Sequence, residues 1–110
     1  MNDARIPTHL WVEAFIRNCF SNGISVTVIN KGEKLGGTVL FKLYQSIDSC
    51  RVLAQMRNSK DKIEWYPIHK KETVDEKEAS SLIDLSLTRD PDLWVIEVES
   101  QDIKLPFDDY

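Results

Sequence analysis

Two thiols, two imidazoles and several clustered carboxylates are the groups in this chain of 110 residues that could do chemistry. Cys50 and His69, folded together, would make a nucleophile and its general base. With Trp65 and Tyr66 they outline the pocket expected if the protein were a small enzyme or ligand-binding protein. Only Arg51 adjoins Cys50 as a cation, so nothing nearby in sequence would activate the thiol, and a structural cysteine is the preferred reading. His9 and Glu13 stand one helical turn apart, near enough to share a metal ion, but one imidazole and one carboxylate are too few ligands. Asp84, Asp90 and Asp92 gather carboxylates within a short span, yet they lack the ligand spacing of an EF-hand, and Asp90-Pro91-Asp92 reads as a helix stop followed by a turn. Gly32-Glu33-Lys34-Leu35-Gly36-Gly37 superficially suggests a phosphate loop. Its lysine is not followed by Ser or Thr and a helix, so a turn between strands accounts for it better. No catalytic residue, cofactor or metal is assigned.

One constellation points to a surface rather than to a reaction. Trp65 and Tyr66 lie between Lys60 and Lys62 on one side and Lys70 and Lys71 on the other. Aromatic rings interleaved with lysines can stack bases and neutralise phosphates. A lysine-decorated strand edge is also a natural device against aggregation, and it is preferred here. These six residues form the expected interaction surface.

Charge is distributed unevenly along the chain. The formal net charge is −4, but residues 31–71 carry nine Lys/Arg against four acids, whereas residues 72–110 carry three against twelve. The preferred account is that the acidic part folds back on the basic middle and each offsets the other. An exposed basic middle that binds nucleic acid weakly is the alternative. Composition is that of a globular domain, 42% hydrophobic and 29% charged, and the length suits a single domain over residues 1–110. No apolar run is long enough to cross a membrane. Met1-Asn2-Asp3-Ala4-Arg5 lacks the basic-then-apolar order of a secretory signal. Cys19 and Cys50, isolated and without CxxC spacing, suit a reducing cytoplasm better than a disulfide framework.

Periodicity predicts the elements that must position these residues. Thr8 is placed to cap a helix starting near His9, whose apolar stripe includes Leu10, Trp11, Val12, Ala14, Phe15, Ile16, Cys19 and Phe20. That stripe is wider than one sheet face needs, so a homodimer that closes over part of it is expected. Asn22-Gly23 ends the helix, glycine suiting the left-handed position past its C-terminus. Strand patterns follow at residues 24–29, at 38–44, through Val52, Ala54 and Met56, and at Ile63, Trp65 and Tyr66, where Pro67 confines the strand to an edge or ends it. Short polar connections suggest a meander. Thr73-Val74-Asp75-Glu76 matches a capping box before a second helix with Ala79, Leu82, Ile83 and Leu87 on its inner side. The last strand carries Trp94, Ile96 and Val98 at period two, while its other face begins apolar at Leu93 and Val95 and turns acidic at Glu97 and Glu99. Such a strand lies inside a sheet and runs out to a rim. Leu105 and Phe107 either return to the body or belong to a loose tail over residues 100–110. The order helix, four strands, helix, strand gives an α+β fold with a mostly antiparallel sheet of about five strands.

Leu10-Trp11-Val12, Phe41-Lys42-Leu43 and above all Asp90-Pro91-Asp92-Leu93-Trp94-Val95-Ile96-Glu97-Val98-Glu99, together with Leu105-Pro106-Phe107, resemble a small bacterial family known as the domain of unknown function numbered fourteen ninety-one. The resemblance runs over nearly the whole chain in the same order, with the middle matched by pattern only. It implies a soluble bacterial cytoplasmic protein and brings no activity, cofactor or catalytic residue with it. The leading expectation is therefore a non-enzymatic module that binds a partner protein through a sheet edge or an apolar helix face.

Overall fold

The computed structural model describes residues 6–107; the reading that Met1–Arg5 lacks the pattern of a secretory signal and the last residues of the tail, 108–110, fall outside it. The elements run α1 (Thr8–Ser21), β1 (Val26–Asn30), β2 (Val39–Ser46), β3 (Ser49–Arg57), β4 (Ile63–Pro67), α2 (Glu76–Arg89) and β5 (Trp94–Glu99). This is the α+β order that the periodicities predict. No helix among the described residues is long and apolar enough to cross a membrane.

The sheet order β1-β5-β2-β3-β4 differs from a simple meander. Only β2, β3 and β4 form one. β5 enters between β1 and β2, antiparallel to the first and parallel to the second. A strand with Trp94, Val95, Ile96 and Val98 all buried gains most where both its faces are covered, which is the middle of a sheet. The β1–β2 connection, residues 31–38, is long enough to step over it, because two strand spacings are only about 10 Å.

Alternation divides the apolar residues between two layers. On one face Phe41, Leu43, Leu53, Trp94, Ile96 and Val98 pack against Val12, Phe15 and Cys19 of α1. On the other, Leu40, Cys50, Val52 and Val95 pack against Ala79 and Ile83 of α2. The helices thus cover opposite faces, which explains why β2 is buried at five consecutive positions, Val39 to Leu43. Aromatic rings fill the α1 side, with Phe15 4.8 Å from Phe41 and Phe41 4.7 Å from Trp65 between ring centroids. Leu105 and Phe107 pack against this same cluster.

Both helix starts differ from the sequence expectation. Pro7 is the residue before the first turn of α1, and no side chain caps it. Instead Thr8 N and His9 N donate to the carbonyls of Leu35 and Lys34, and the Thr8 hydroxyl donates to Gly37 O at 2.7 Å. The β1–β2 loop therefore satisfies donors that a cap would otherwise take. In α2 the cap is Asp75, whose carboxylate accepts from Glu78 N at 2.7 Å, two residues later than Thr73. Backbone pairing of Val74 with Cys50 keeps that part of the chain extended beside β3, so the helix cannot begin earlier. The end of α1 is as expected: Gly23 has φ +70, and Gly23 N and Ile24 N donate to Phe20 O and Cys19 O, the paired bonds of a Schellman motif.

Asp90-Pro91-Asp92-Leu93-Trp94 fastens the β1–β2 loop to β5. Asp90 Oδ1 accepts from Asp92 N, Asp92 O accepts from Glu33 N, and the Trp94 indole N–H donates to Glu33 O at 2.8 Å. Gly32 lies so near this motif that a Cβ there would sit 2.1 Å from Asp92 O, so only glycine fits.

Candidate functional site

The structure separates the residues of the expected pocket. Strand alternation and the β3–β4 register, Gln55 opposite Trp65 and Ala54 opposite Tyr66, turn Trp65 towards α1 and Tyr66 to the other face. Trp65 is half-buried among Trp11 and Phe41. Cys50 is fully buried in the α2-side cluster, and burial pushes its thiol above the usual range. His69 is committed at both nitrogens: Nε2 accepts from Val52 N at 3.1 Å and Nδ1 donates to Lys71 O at 2.6 Å. That neutral imidazole completes the backbone pairing of β3 where β4 has ended. It is not placed as a general base for Cys50, and the pocket reading is corrected accordingly. Cys19, buried on the α1 side, has its thiol pushed up to about 11 by the same desolvation.

Four clefts among the described residues lie elsewhere, and none is lined by Cys50, His69, Trp65 or Tyr66. The one at the N-terminal end of α1, about 270 Å³, is lined by Ile6, Trp11, Leu35, Val39, Arg57 and Ile63 among others. Gln55 Oε1 accepts from Val39 N there, and Arg57 Nη1 donates to Asp61 O, so polar groups in its wall are engaged. The others, of about 310, 260 and 330 Å³, are shallow, and two of them are acidic. Small-molecule sites are clefts of roughly 300–1,000 Å³, so these four stand near or below the lower end of that range. No group of three or more His, Cys, Asp or Glu able to hold a metal occurs among the described residues.

The lysines of the expected surface are exposed but divided. Lys60 and Lys62 lie in the β3–β4 hairpin, Lys70 and Lys71 beyond the far end of β4. Five strand residues at about 3.3 Å each hold the two pairs roughly 16 Å apart. Lys71 Nζ is 3.8 Å from Glu78 of α2. Tyr66, between the pairs, donates its hydroxyl to Glu64, which also accepts from Asn58 Nδ2, and these bonds hold the Glu64 carboxyl below its ordinary value.

Charge pairing between the basic middle and the acidic C-terminal part centres elsewhere, on Lys42. Its ammonium, 4% exposed, lies 2.9 Å from Glu97 of β5 and 3.1 Å from Glu76 in the first turn of α2. Burial presses the lysine pKa down, but the hydrogen bonds and charges of Glu97 and Glu76 outweigh it and raise the value. A lone lysine inside Val39-Leu40-Phe41-Lys42-Leu43 was the sequence signal for a buried ion pair. With Lys42 and Lys71 engaged by acids and a net charge of −4, short RNA or single-stranded DNA is expected to give no shift at physiological ionic strength. Micromolar binding, lost when Lys60, Lys62, Lys70 and Lys71 are reversed in charge, would overturn this.

The two sheet edges are not alike. β4 is guarded by Pro67 and by the charged hairpin Lys60-Asp61-Lys62. β1 has neither proline nor charge, although its register against β5 shifts between Val28 and Asn30, and residues 18–30, from the end of α1 through β1, are uncharged throughout. Glu99 N donates to Ser25 O and Val26 pairs with Val98, so alternation points the N–H and C=O groups of Val26 and Val28 away from β5. Ile29 on this strand is 43% exposed, and Phe20, at the end of α1, is 84% exposed. The absence of charge over this run was legible in the sequence; that it forms an edge was not.

Comparison with known proteins places this fold. Among curated proteins none matches the chain. A crystal structure and an NMR structure of a DUF1491 family protein from Caulobacter crescentus CB15 match it with TM-scores of 0.82 and 0.80, at 25% and 24% identity. Those matches cover 94% and 96% of this chain and 96% and 94% of the other. The solution structure of Atu0922 from A. tumefaciens is similar in fold, with a TM-score of 0.71 at 21% identity over 87% of this chain and 86% of that one. The family model described as protein of unknown function (DUF1491) matches residues 6–108, nearly the full length. The chain therefore belongs to the DUF1491 family.

Proposed function

We propose that this protein is a non-enzymatic interaction module of the bacterial cytoplasm, which takes up an extended segment of a partner protein along the free edge of β1. The observation that carries this reading is the edge itself: ahead of the register shift between Val28 and Asn30, Val26 and Val28 point backbone donors and acceptors away from β5 within an uncharged stretch, while β4 is flanked by a proline and a charged hairpin. Main-chain bonding to such an edge supplies affinity, and neighbouring apolar side chains supply selectivity. Ile29 and Phe20 are the exposed apolar groups at hand. The reactive groups support the same reading, because both thiols are buried and both His69 nitrogens are occupied. Location in a reducing compartment is supported by the two cysteines, which sit in clusters on opposite faces of the sheet and cannot pair.

Capture of partners from the native cell, with wild-type protein and with a Thr27→Lys/Ile29→Lys variant as parallel baits, tests this. Both positions are exposed, so the variant is expected to fold and to lose the partner, whereas a charge at Leu85 on α2 leaves capture unchanged. Equal capture by wild type and the β1 variant would refute the edge as the binding surface.

A further inference from the structure

We propose that the cleft at the N-terminal end of α1 binds a small carboxylate with a short apolar body, held by Arg57 and Gln55. Strand alternation builds this site. In the β3–β4 register Gln55 lies opposite Trp65 and Arg57 opposite Ile63, so Gln55, Arg57 and Ile63 all turn to the α1 side with Trp65. There they meet Trp11 of α1, Val39 of β2 and Leu35 of the β1–β2 loop. The wall is thus divided, apolar on Trp11, Leu35, Val39 and Ile63 and polar at Gln55 and Arg57. Arg57 is the one charged residue among those that line it. A volume of about 270 Å³ stands just under the usual range for small-molecule sites, which suits a molecule the size of a single amino acid.

Both polar side chains are engaged on one side and open on the other. Gln55 Oε1 accepts from Val39 N at 2.9 Å, which fixes the amide and leaves its NH₂ group without an acceptor among the described residues. Arg57 Nη1 donates to Asp61 O at 2.9 Å and stands 3.5 Å from Asp61 Oδ1. The Nε–Nη2 edge of the guanidinium, which suits a carboxylate through two parallel hydrogen bonds, has no partner among the described residues. Asp61 does not close that edge, because its side chain is 75% exposed and such a pair is held weakly. Glu33, the acid of the adjoining loop, has its carboxylate on Leu35 N and Gly36 N. The first donors of α1 are already taken by Leu35 O and Lys34 O, so the helix end supplies none. The anion's partners are therefore side chains, a guanidinium edge and an amide held in place by β2.

Titration of isotope-labelled protein with isocaproate, followed by NMR, tests this, with uncharged isocaproamide as the control. Saturable shifts are expected at the Gln55 side-chain amide, at Arg57 Nε–H and at the backbone amides of Gly37 and Thr38, while isocaproamide at the same concentrations gives none. Arg57→Met should weaken binding roughly tenfold or more, the loss expected for hydrogen bonds to a charged group. Asp61→Asn should tighten it, since the competing carboxylate is gone and asparagine accepts the φ of +60 at this position. Shifts that rise without saturating, equal shifts with isocaproamide, or unchanged affinity in Arg57→Met would each overturn the site. Should Arg57→Met not fold, Asp61→Asn decides: affinity no tighter than that of the wild type would remove Arg57 as the anion's partner. The cleft shares no lining residue with β1, so its failure leaves the edge-binding reading standing.

Discussion

Trp94→Ala is expected to cost about 3–5 kcal/mol of stability, the range for a large aromatic side chain deleted from a core, and to lower the melting temperature by roughly 15 °C or more. Trp94 is 6% exposed and packs in the α1-side cluster with Ile96 and Val98. Its indole N–H also holds Glu33 O, and the neighbouring Asp92 carbonyl holds Glu33 N. The β1–β2 loop so anchored in turn receives the first N–H groups of α1. Truncation thus leaves a cavity and frees a loop on which a helix start depends. Trp94→Phe keeps most of the ring and loses the hydrogen bond, so a smaller cost of about 1–2 kcal/mol is expected. Chemical denaturation of both variants measures this; an unchanged melting temperature for Trp94→Ala would show that the residue is not a core anchor.

Lys42→Ala is expected to cost about 3 kcal/mol, the lower end of the range for removing one partner of a buried ion pair. The lower end applies because Glu97 and Glu76 retain side-chain exposures of 26% and 38% and can turn to water. Lys42↔Glu97 is itself a cross-strand pair of the parallel β2–β5 junction, and Glu76 links that junction to α2. Lys42→Met keeps the buried stem and removes the charge, and adding Glu97→Gln is expected to recover part of the loss, because two carboxylates then no longer face each other. The folded-state pKa of Lys42 is raised above its ordinary 10.5, so its contribution is complete below that value and is lost as pH rises through the folded pKa. Wild-type stability should therefore fall in strongly alkaline solution more steeply than that of Lys42→Met. Equal alkaline slopes, measured by denaturant titration, would remove Lys42 as the cause.

The sequence by itself determined the helices, the strands and their order, because each rests on local periodicity: the apolar stripe of α1, the Val-Thr-Val alternation of β1, and the doubly apolar start of β5. It also marked Asn22-Gly23 as a helix end, since a left-handed residue is a local requirement that glycine meets. Tertiary structure alone decided the rest. Nothing local says that β5 inserts between β1 and β2; that follows from where a strand buried on both faces finds cover, a choice made among elements some 60 residues apart. The helix starts moved for the same reason, since loop carbonyls took the donors of α1 and pairing of Val74 with Cys50 delayed α2. Neighbours in sequence were also split by the pleat: Trp65 and Tyr66 face opposite layers, and Trp65 is thereby parted from Cys50. The proposed site shows the division most plainly. Sequence supplied an uncharged run from Asn18 to Asn30, while the sheet order left the outward donors and acceptors of Val26 and Val28 without a neighbouring strand among the described residues.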